Sequence, residues 1–313
     1  MIALLLAAIV MSSQAAQEPR ASLLAGASAA LEAGRRAEAK RLLTEAADRF
    51  DSVAALLQLA RLQSGDGDAA GAAAALQKAR ALAPNSEEVL SAIAQLALAA
   101  RLPGPAAAAL DPLTRMCPEV AQYHYLLGIA AMTAGDSVRA TEALQTADRL
   151  EPGRPLTLVA LGLVFNNRKQ FADAKSVLTR SLELDPDKAE ALAGLAEAEA
   201  SLGELEAAEQ HARRALQTAP ADATARLVIG MVRLQQSKYE DARDALLEAA
   251  AADPQSAKAD YQLSLVYARL GDAANAQRSL ESYRRKLADT NARIDALRTA
   301  VLPANPKGGG GAR

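Results

Sequence analysis

The chain has 313 residues, half of them hydrophobic, yet only 3% are aromatic and none is tryptophan. Its net charge is −2, so it lacks the basic surplus that nucleic-acid-binding domains use to contact phosphates. The apolar residues are mostly Ala and Leu, which favour helices, and the β-branched or aromatic runs that predict strands are missing. We therefore expect an all-α protein that binds no nucleic acid.

An apolar run begins at Ile2 and ends at Met11, and small residues follow at Ser13 and Ala15. This arrangement is typical of a secretory signal peptide cleaved after Ala15, although no Lys or Arg precedes the run. The run is too short to span a bilayer, which needs about 20 apolar residues. We predict a signal peptide over residues 1–16 and a periplasmic or secreted protein without a transmembrane span after processing. The alternative is an apolar first helix in a cytoplasmic protein.

Prolines recur every 34 residues through most of the chain, at Pro84, Pro118, Pro152, Pro186, Pro220 and Pro254. A fixed period of this length indicates one supersecondary unit copied in tandem, and such units stack into a solenoid. With the proline counted as position 32, eight units occupy residues 19–290. Phe50 and Ala288 replace the proline in the first and last units, and atypical terminal units are expected because each has only one neighbour.

Other positions follow the same period. Position 8 is small in every unit, which indicates that two helices approach closely there. Position 24 is leucine in all units but one, which has Ala212. Position 20 is alanine from the second unit onward, at Ala72, Ala106, Ala140, Ala174, Ala208, Ala242 and Ala276. In the first unit, Ala39 and Leu43 fit positions 20 and 24 if its frame shifts by one residue, with a shorter turn into the second unit. Each unit is therefore predicted to fold as helix A, a short turn, helix B and a turn that contains the proline, which cannot continue a helix.

The period, the small position 8, alanine at position 20, an apolar position 24 and proline at position 32 together resemble the tetratricopeptide repeat family over residues 19–290. The resemblance implies an all-α, right-handed α-solenoid of helix-turn-helix repeats, in which helices A line a concave groove. The chain departs from the family in its aromatic residues. Tryptophan is missing from position 4, and position 11 is aromatic only at Phe165 and Tyr267.

A helical spacing of apolar residues continues after the repeats at Tyr283, Leu287, Ile294, Leu297 and Val301. It predicts a C-terminal capping helix over residues 291–302 that covers the exposed core of the last unit. No proline separates this segment from helix B of the last unit, so the two can form one helix. Residues 303–313 are mostly Pro, Lys and Gly, which predicts a disordered tail.

Residues that could carry catalysis are scarce. The two histidines, His124 and His211, lie in different units without a partner at metal-ligand spacing, and no phosphate-binding loop or nucleophile elbow is present. We expect no catalytic residue, no metal, no cofactor and no enzymatic activity. The single cysteine, Cys117, is predicted to be a half-buried turn thiol beside Pro118, and an intermolecular disulfide is the alternative.

The family resemblance also implies which residues line the groove, mainly at positions 2, 5, 9, 12 and 13 of helix A. Carried over, it predicts partner contacts at Tyr125, Met132, Leu156, Val159, Leu163, Asn166, Asn167, Leu227, Met231, Tyr261 and Leu265. Positions 5 and 9 hold no Asn or Lys, so the carboxylate-clamp specificity of some family members is not implied. Exposed apolar stripes rimmed by polar groups favour partner contact, and the alternative is packing against the neighbouring helix A.

These observations predict a non-enzymatic, exported scaffold that binds a peptide or helix of a partner protein in the concave groove. Two alternatives follow from the same repeats. One is an accessory component of exopolysaccharide or cell-envelope assembly machinery. The other is a structural protein that forms homo-oligomers through an end of the array or through the C-terminal helix.

Overall fold

The computed structural model describes the backbone of residues 19–301 and the side chains of residues 19–292. Within this range every regular element is an α-helix, and there are sixteen of them. The predicted all-α class is confirmed. The predicted signal peptide (residues 1–16) and tail (303–313) lie outside the described residues.

The helices are numbered α1 to α16 in chain order. They occupy residues 19–32 (α1), Arg36–Phe50 (α2), Val53–Gly65 (α3), Ala69–Leu82 (α4), Glu87–Ala99 (α5), Pro103–Met116 (α6), Ala121–Thr133 (α7), Ser137–Leu150 (α8), Pro155–Asn167 (α9), Phe171–Leu184 (α10), Ala189–Leu202 (α11), Leu205–Thr218 (α12), Ala223–Gln235 (α13), Tyr239–Ala252 (α14), Ala257–Arg269 (α15) and Ala273–Val301 (α16). Odd numbers are helices A and even numbers are helices B. Helix A packs on helix B of its own repeat, as α13 does on α14, and helix B packs on the next helix A, as α14 does on α15.

The chain divides into two compact units. The first ends at Cys117 and contains α1 to α6, which are the first three repeats. The second begins at Pro118 and contains α7 to α16, which are the remaining five repeats. Each unit has its own buried core of Ala, Leu and Val side chains between the helices.

The periodic prolines lie in the turns that end the repeats. Each preceding helix B ends two residues before its proline, for example at Leu150 before Pro152 and at Leu184 before Pro186. Proline disfavours the helical conformation in the residue before it and donates no backbone hydrogen bond. The 34-residue period in the sequence is therefore the period of the helix ends.

Positions 8, 20 and 24 meet where helix A crosses helix B. In the fifth repeat, a Cβ atom added to Gly162 would lie 2.4 Å from Cγ of Leu178, so a larger residue would force the two helices or the leucine to move. Ala174 at position 20 and Leu178 at position 24 are fully buried. The small residues of the pattern thus mark a close helix contact, as the sequence predicts.

The first repeat follows the shifted frame. Ala39 and Leu43 are fully buried, whereas Glu38 is partly exposed and forms an ion pair with Arg35. Two residues, 51 and 52, connect α2 to α3, whereas four residues connect α8 to α9. The predicted one-residue shift and the shorter turn are both confirmed.

The last helix, α16, runs without interruption from Ala273 to Val301 and has 29 residues, compared with 14 in α14. The segment predicted as a capping helix, residues 291–302, is helical as far as Val301 and continues helix B of the eighth repeat. α16 packs on α15, its partner helix in the last repeat. Residues 287–292 are exposed, and the predicted boundaries of the array and the cap stay predictions.

Candidate functional site

All the predicted groove residues belong to helices A of the second unit. These helices contact one another in order, α7 with α9, α9 with α11, α11 with α13, and α13 with α15. Their side chains that do not pack on helices B form one surface, which we call the helix A face. The family resemblance identifies it with the concave side of the solenoid.

An aromatic and cationic cluster lies where α7 meets α9. The guanidinium of Arg154 lies 5.0 Å from the ring centroid of the half-buried Tyr125, and its Nη1 donates a 2.5 Å hydrogen bond to Oε1 of Gln122. The cation–π contact to Tyr125 and the hydrogen bond to Gln122 together fix the orientation of the Arg154 side chain. Leu156 lies close by in the sequence and is exposed, so this part of the face offers an apolar surface beside a guanidinium that also forms an ion pair with Glu151 at 3.8 Å.

The centre of the face has a partly accessible apolar surface. Met132 and Leu163 are half-buried and pack against the core of the second unit with the rest of their surface free. Asn167, at the end of α9, is exposed. A partner could contact these three side chains without any rearrangement of the helices.

Asn166 instead joins two helices A. It is only 4% exposed, and its Nδ2 donates a 2.8 Å hydrogen bond to the carbonyl of Gly194 in α11. A Cβ atom added to Gly194 would lie 3.2 Å from Cδ2 of Leu163, so the glycine permits this close approach of α9 and α11. The Asn166 amide therefore holds the face together and has almost no surface left for a partner.

Two more predicted residues are buried between helices. Val159 and Leu227, both at position 5, are 7% and 5% exposed. α9 and α11 contact each other, and Val159 belongs to the same hydrophobic cluster as Leu195 of α11. These two residues therefore fit the alternative drawn from the sequence, in which they pack against the neighbouring helix A.

The last three predicted groove residues differ in how far they are exposed. Met231 is half-buried in α13, whereas Tyr261 and Leu265 of α15 are 43% and 39% exposed and line a hollow of about 510 Å³ beside α16. The Tyr261 ring lies 5.3 Å from that of Tyr283. The exposure of Tyr261 and Leu265 is thus a property of the last repeat, where no further helix A follows among the described residues.

The structure adds an ion pair that the predicted site does not contain. Nζ of Lys258 in α15 contacts Oε1 of Glu197 in α11, so the pair spans α13 and joins residues 61 positions apart. Glu197 is only 9% exposed, and a carboxylate with so little water around it needs a cation beside it. A signal was present in the sequence, because Glu197 occupies position 9, where other repeats of this unit have Ile129, Leu163, Met231 and Leu265.

Other chemistry-bearing residues are dispersed. Among the residues that the structure describes, no group of three or more His, Cys, Asp or Glu side chains could hold a metal ion. His211 Nδ1 lies 2.7 Å from Oε2 of the buried Glu199, and Sγ of the half-buried Cys117 lies 3.6 Å from Oε2 of Glu87. No helix in the described range is both long enough and apolar enough to cross a membrane.

Two family models with the description tetratricopeptide repeat match this sequence. One matches residues 24–87, 91–155 and 227–292, which is more than half of the chain, and the other matches residues 167–231. The chain belongs to the tetratricopeptide repeat family. The resemblance drawn from the sequence is confirmed, and with it the α-solenoid of helix-turn-helix repeats. Tetratricopeptide repeats are generally non-enzymatic scaffolds that bind other proteins.

Solved structures share the tetratricopeptide repeat fold. A tetratricopeptide repeat protein from Parabacteroides merdae ATCC 43184 matches with a TM-score of 0.61 and 15% identity, over 80% of this chain and 99% of that one. A chain of the APC/C hetero-tetramer Cut9–Hcn1 matches with a TM-score of 0.59 and 20% identity, over 77% of this chain and 48% of that one. The type IV pilus biogenesis factor PilW matches with a TM-score of 0.55 and 18% identity, over 66% and 96%. At these identities the likeness shows the fold alone, and no curated protein sequence matches the chain.

Proposed function

We propose that this tetratricopeptide repeat protein is an exported, non-enzymatic scaffold that binds a peptide or helix of a partner protein on the helix A face of its second unit. The observation that carries the proposal is the accessible row formed by Leu156, Met132, Leu163 and Asn167 on helices that contact one another. An apolar surface with polar groups at its edge is typical of a protein contact site.

The polar groups of the face indicate what a partner would need. Leu156 and Leu163 suit apolar side chains, and the exposed Asn167 amide can both donate to and accept from a peptide backbone. The Arg154 guanidinium favours an acidic or aromatic group beside Tyr125. Toward α15, the Lys258 side chain is 48% exposed and can attract a second acidic group.

The face is also held in place before any partner binds. Asn166 joins α9 to α11, and the pair of Glu197 and Lys258 joins α11 to α15. A surface that is already ordered loses little conformational entropy when a partner binds, which favours affinity.

The binding surface can be tested with two exposed leucines as a matched pair. Leu156 lies on helix A of the fifth repeat and Leu184 at the end of helix B of the same repeat. Affinity capture from a native extract should retain a partner with Leu184→Arg and lose it with Leu156→Arg, while circular dichroism shows both variants folded. A photo-crosslinking residue at Asn167 should attach to the same partner. Equal capture by the two variants would exclude the helix A face.

The proposed export rests on the apolar run from Ile2 to Met11 and the small residues Ser13 and Ala15. Cell fractionation with intact-mass measurement tests it. We expect a mature chain that begins at Ala16 or Gln17 in the extracytoplasmic fraction. A cytoplasmic chain that retains Met1 would contradict export and leave the proposed binding surface unaffected.

A further inference from the structure

The C-terminal end of the second unit exposes positions that are buried in the other repeats. Ala242 and Leu246, at positions 20 and 24 of the seventh repeat, are fully buried. Ala276 and Leu280, at the same positions of the eighth repeat, are only half-buried. The core pattern of the repeats therefore continues to a surface that no helix in the described range covers as it is covered in the interior repeats.

The first unit shows what normally covers this surface. A hollow there is lined by positions 5, 8, 20 and 24 of the second repeat and, opposite them, by α5, which is helix A of the next repeat. The hollow at the C-terminal end has the same four positions in its wall, namely Tyr261, Ser264, Ala276 and Leu280. All its lining residues belong to α15, α16 and the turn between them. Its shape is therefore that of a seat for helix A of a ninth repeat.

The row of this seat continues along α16 and is apolar at every place except Thr290. Spacings of three and four residues alternate at Leu280, Tyr283, Leu287, Thr290, Ile294, Leu297 and Val301. This is the heptad spacing of a coiled-coil seam, and α16 is helical throughout it. Leu287 is exposed, as are all residues from 287 to 292, so nothing in the described part of the chain packs on the seam there.

The charges beside this seam have one sign. The heptad positions that flank it, e and g, carry four charged residues, all of them basic: Arg284, Lys286, Arg293 and Arg298. Lys286 already pairs with Asp260 at 2.5 Å. The acids of the segment, Glu281, Asp289 and Asp295, occupy positions b and c away from the seam. Flanking charges of two paired helices meet, so two copies of α16 would bring arginine against arginine.

We propose that the terminal seat and the seam of α16 together bind an amphipathic helix of another protein, with acidic residues beside its apolar row. The partner helix takes the place of helix A of a ninth repeat and continues along α16 toward Val301. The seam has two positions per heptad, narrower than the broad apolar face of a helix that lies on a membrane, and this favours a helix as the occupant. The site shares Tyr261 and Leu265 with the α15 end of the helix A face and lies three repeats beyond Leu156.

A pair of synthetic peptides tests the proposal on the full chain. Both have three heptads with leucine at the a and d positions, and one has glutamate and the other lysine at every e and g position. We expect the glutamate peptide to bind about tenfold more tightly in fluorescence anisotropy, because only it complements the flanking arginines. Its binding should slow the hydrogen exchange of the backbone amides of residues 287–301.

Charge reversal supplies the matched control. The double variant Arg293→Glu/Arg298→Glu should bind the lysine peptide more tightly, whereas Arg285→Glu, at the outward position f, should keep the preference of the wild type. Leu287→Asp alters an exposed side chain and should weaken glutamate-peptide binding without a loss of helix.

Three results would overturn the proposal. The first is equal affinity for the two peptides, or binding of neither. The second is dimerisation of the wild-type chain, measured by analytical ultracentrifugation, that Leu287→Asp abolishes, because the seam would then pair with itself. The third is protection of residues 287–301 by vesicles of phosphatidylcholine and phosphatidylglycerol in equal parts, because the seam would then contact lipid.

Discussion

The junction after the fifth repeat and the end after the eighth show the same sequence positions in different environments. Val159 at position 5 is 7% exposed because α11 follows α9, whereas Tyr261 at position 5 of the last repeat is 43% exposed. At position 24, Leu178 is fully buried, whereas Leu280 of the last repeat is only half-buried. A position in the repeat therefore becomes core or surface according to the helix that follows it.

This difference arises because each repeat of a solenoid contacts only its neighbours. An interior repeat is covered on both sides, and the loss of one side chain there affects two interfaces. Among the described residues, the last repeat has a neighbour on one side only. Substitutions at equivalent positions should consequently have unequal effects. The first prediction below measures that inequality directly, and the others compare tightly packed contacts with more exposed ones elsewhere in the repeats.

The largest expected effect is at position 24. Leu178→Ala should lower the free energy of unfolding by about 3 kcal/mol, because the fully buried leucine leaves a cavity between two repeats. Leu280→Ala should cost about 1 kcal/mol or less, because its side chain is already partly in water. Urea unfolding of both variants measures the difference. Equal losses would show that the last repeat is as well covered as the interior ones.

The next effect concerns the close helix crossing at position 8. Gly162→Ala places a Cβ atom 2.4 Å from Cγ of Leu178, and we expect a loss of about 2 kcal/mol. The comparison is Gly26, a helical glycine that the shifted frame places at position 7 of the first repeat, where an added Cβ atom meets only Cδ1 of Leu42 at 3.4 Å. Gly26→Ala should therefore raise stability by up to about 1 kcal/mol, because alanine is the better helix former. A gain in both variants would mean that the interior crossing can widen freely.

A smaller effect is expected at the ion pair that spans three repeats. Lys258→Met leaves the nearly buried Glu197 carboxylate without its cation and should cost about 1 kcal/mol. Lys78→Met removes a pair with Asp48 in which both side chains are well exposed, and we expect a change below about 0.5 kcal/mol. Thermal unfolding of the two variants distinguishes them, and matching melting temperatures would show that Glu197 is adequately hydrated.

The smallest effect is a pH dependence at the junction of the sixth and seventh repeats. Burial raises the pKa of Glu209, but hydrogen bonds from Arg233, at 2.6 and 3.1 Å, and from Arg213 outweigh it and leave the pKa below its ordinary value. A lowered folded-state pKa adds stability above the unfolded-state pKa, and this stability is lost as the pH falls through the folded-state value.

Glu209→Gln should therefore lose stability at neutral pH and show a shallower decline in stability below about pH 4 than the wild type. Glu206→Gln, on the same helix, serves as the control and should follow the wild-type curve. Urea unfolding between neutral and acidic pH measures both variants. Parallel curves for Glu209→Gln and the wild type would show that the arginine pairs do not contribute.

Much of the fold was predictable because its signals are local. Proline ends a helix through its own covalent structure, so the 34-residue period located the ends of six helices B. Small residues at position 8 predicted the close crossings, and Ala39 with Leu43 predicted the shifted frame of the first repeat. These features, together with the family, were determined by the sequence alone.

Accessibility was decided only by the tertiary structure. The sequence placed Val159, Asn166 and Leu227 among the predicted contacts of the groove, and the structure buries all three against neighbouring helices. It also joins Glu197 to Lys258 across 61 residues, and no described helix fills the seat beside Tyr261. Whether a side chain is buried depends on which helix packs against it. In a periodic sequence, equivalent positions carry similar residues whether or not that neighbouring helix is present.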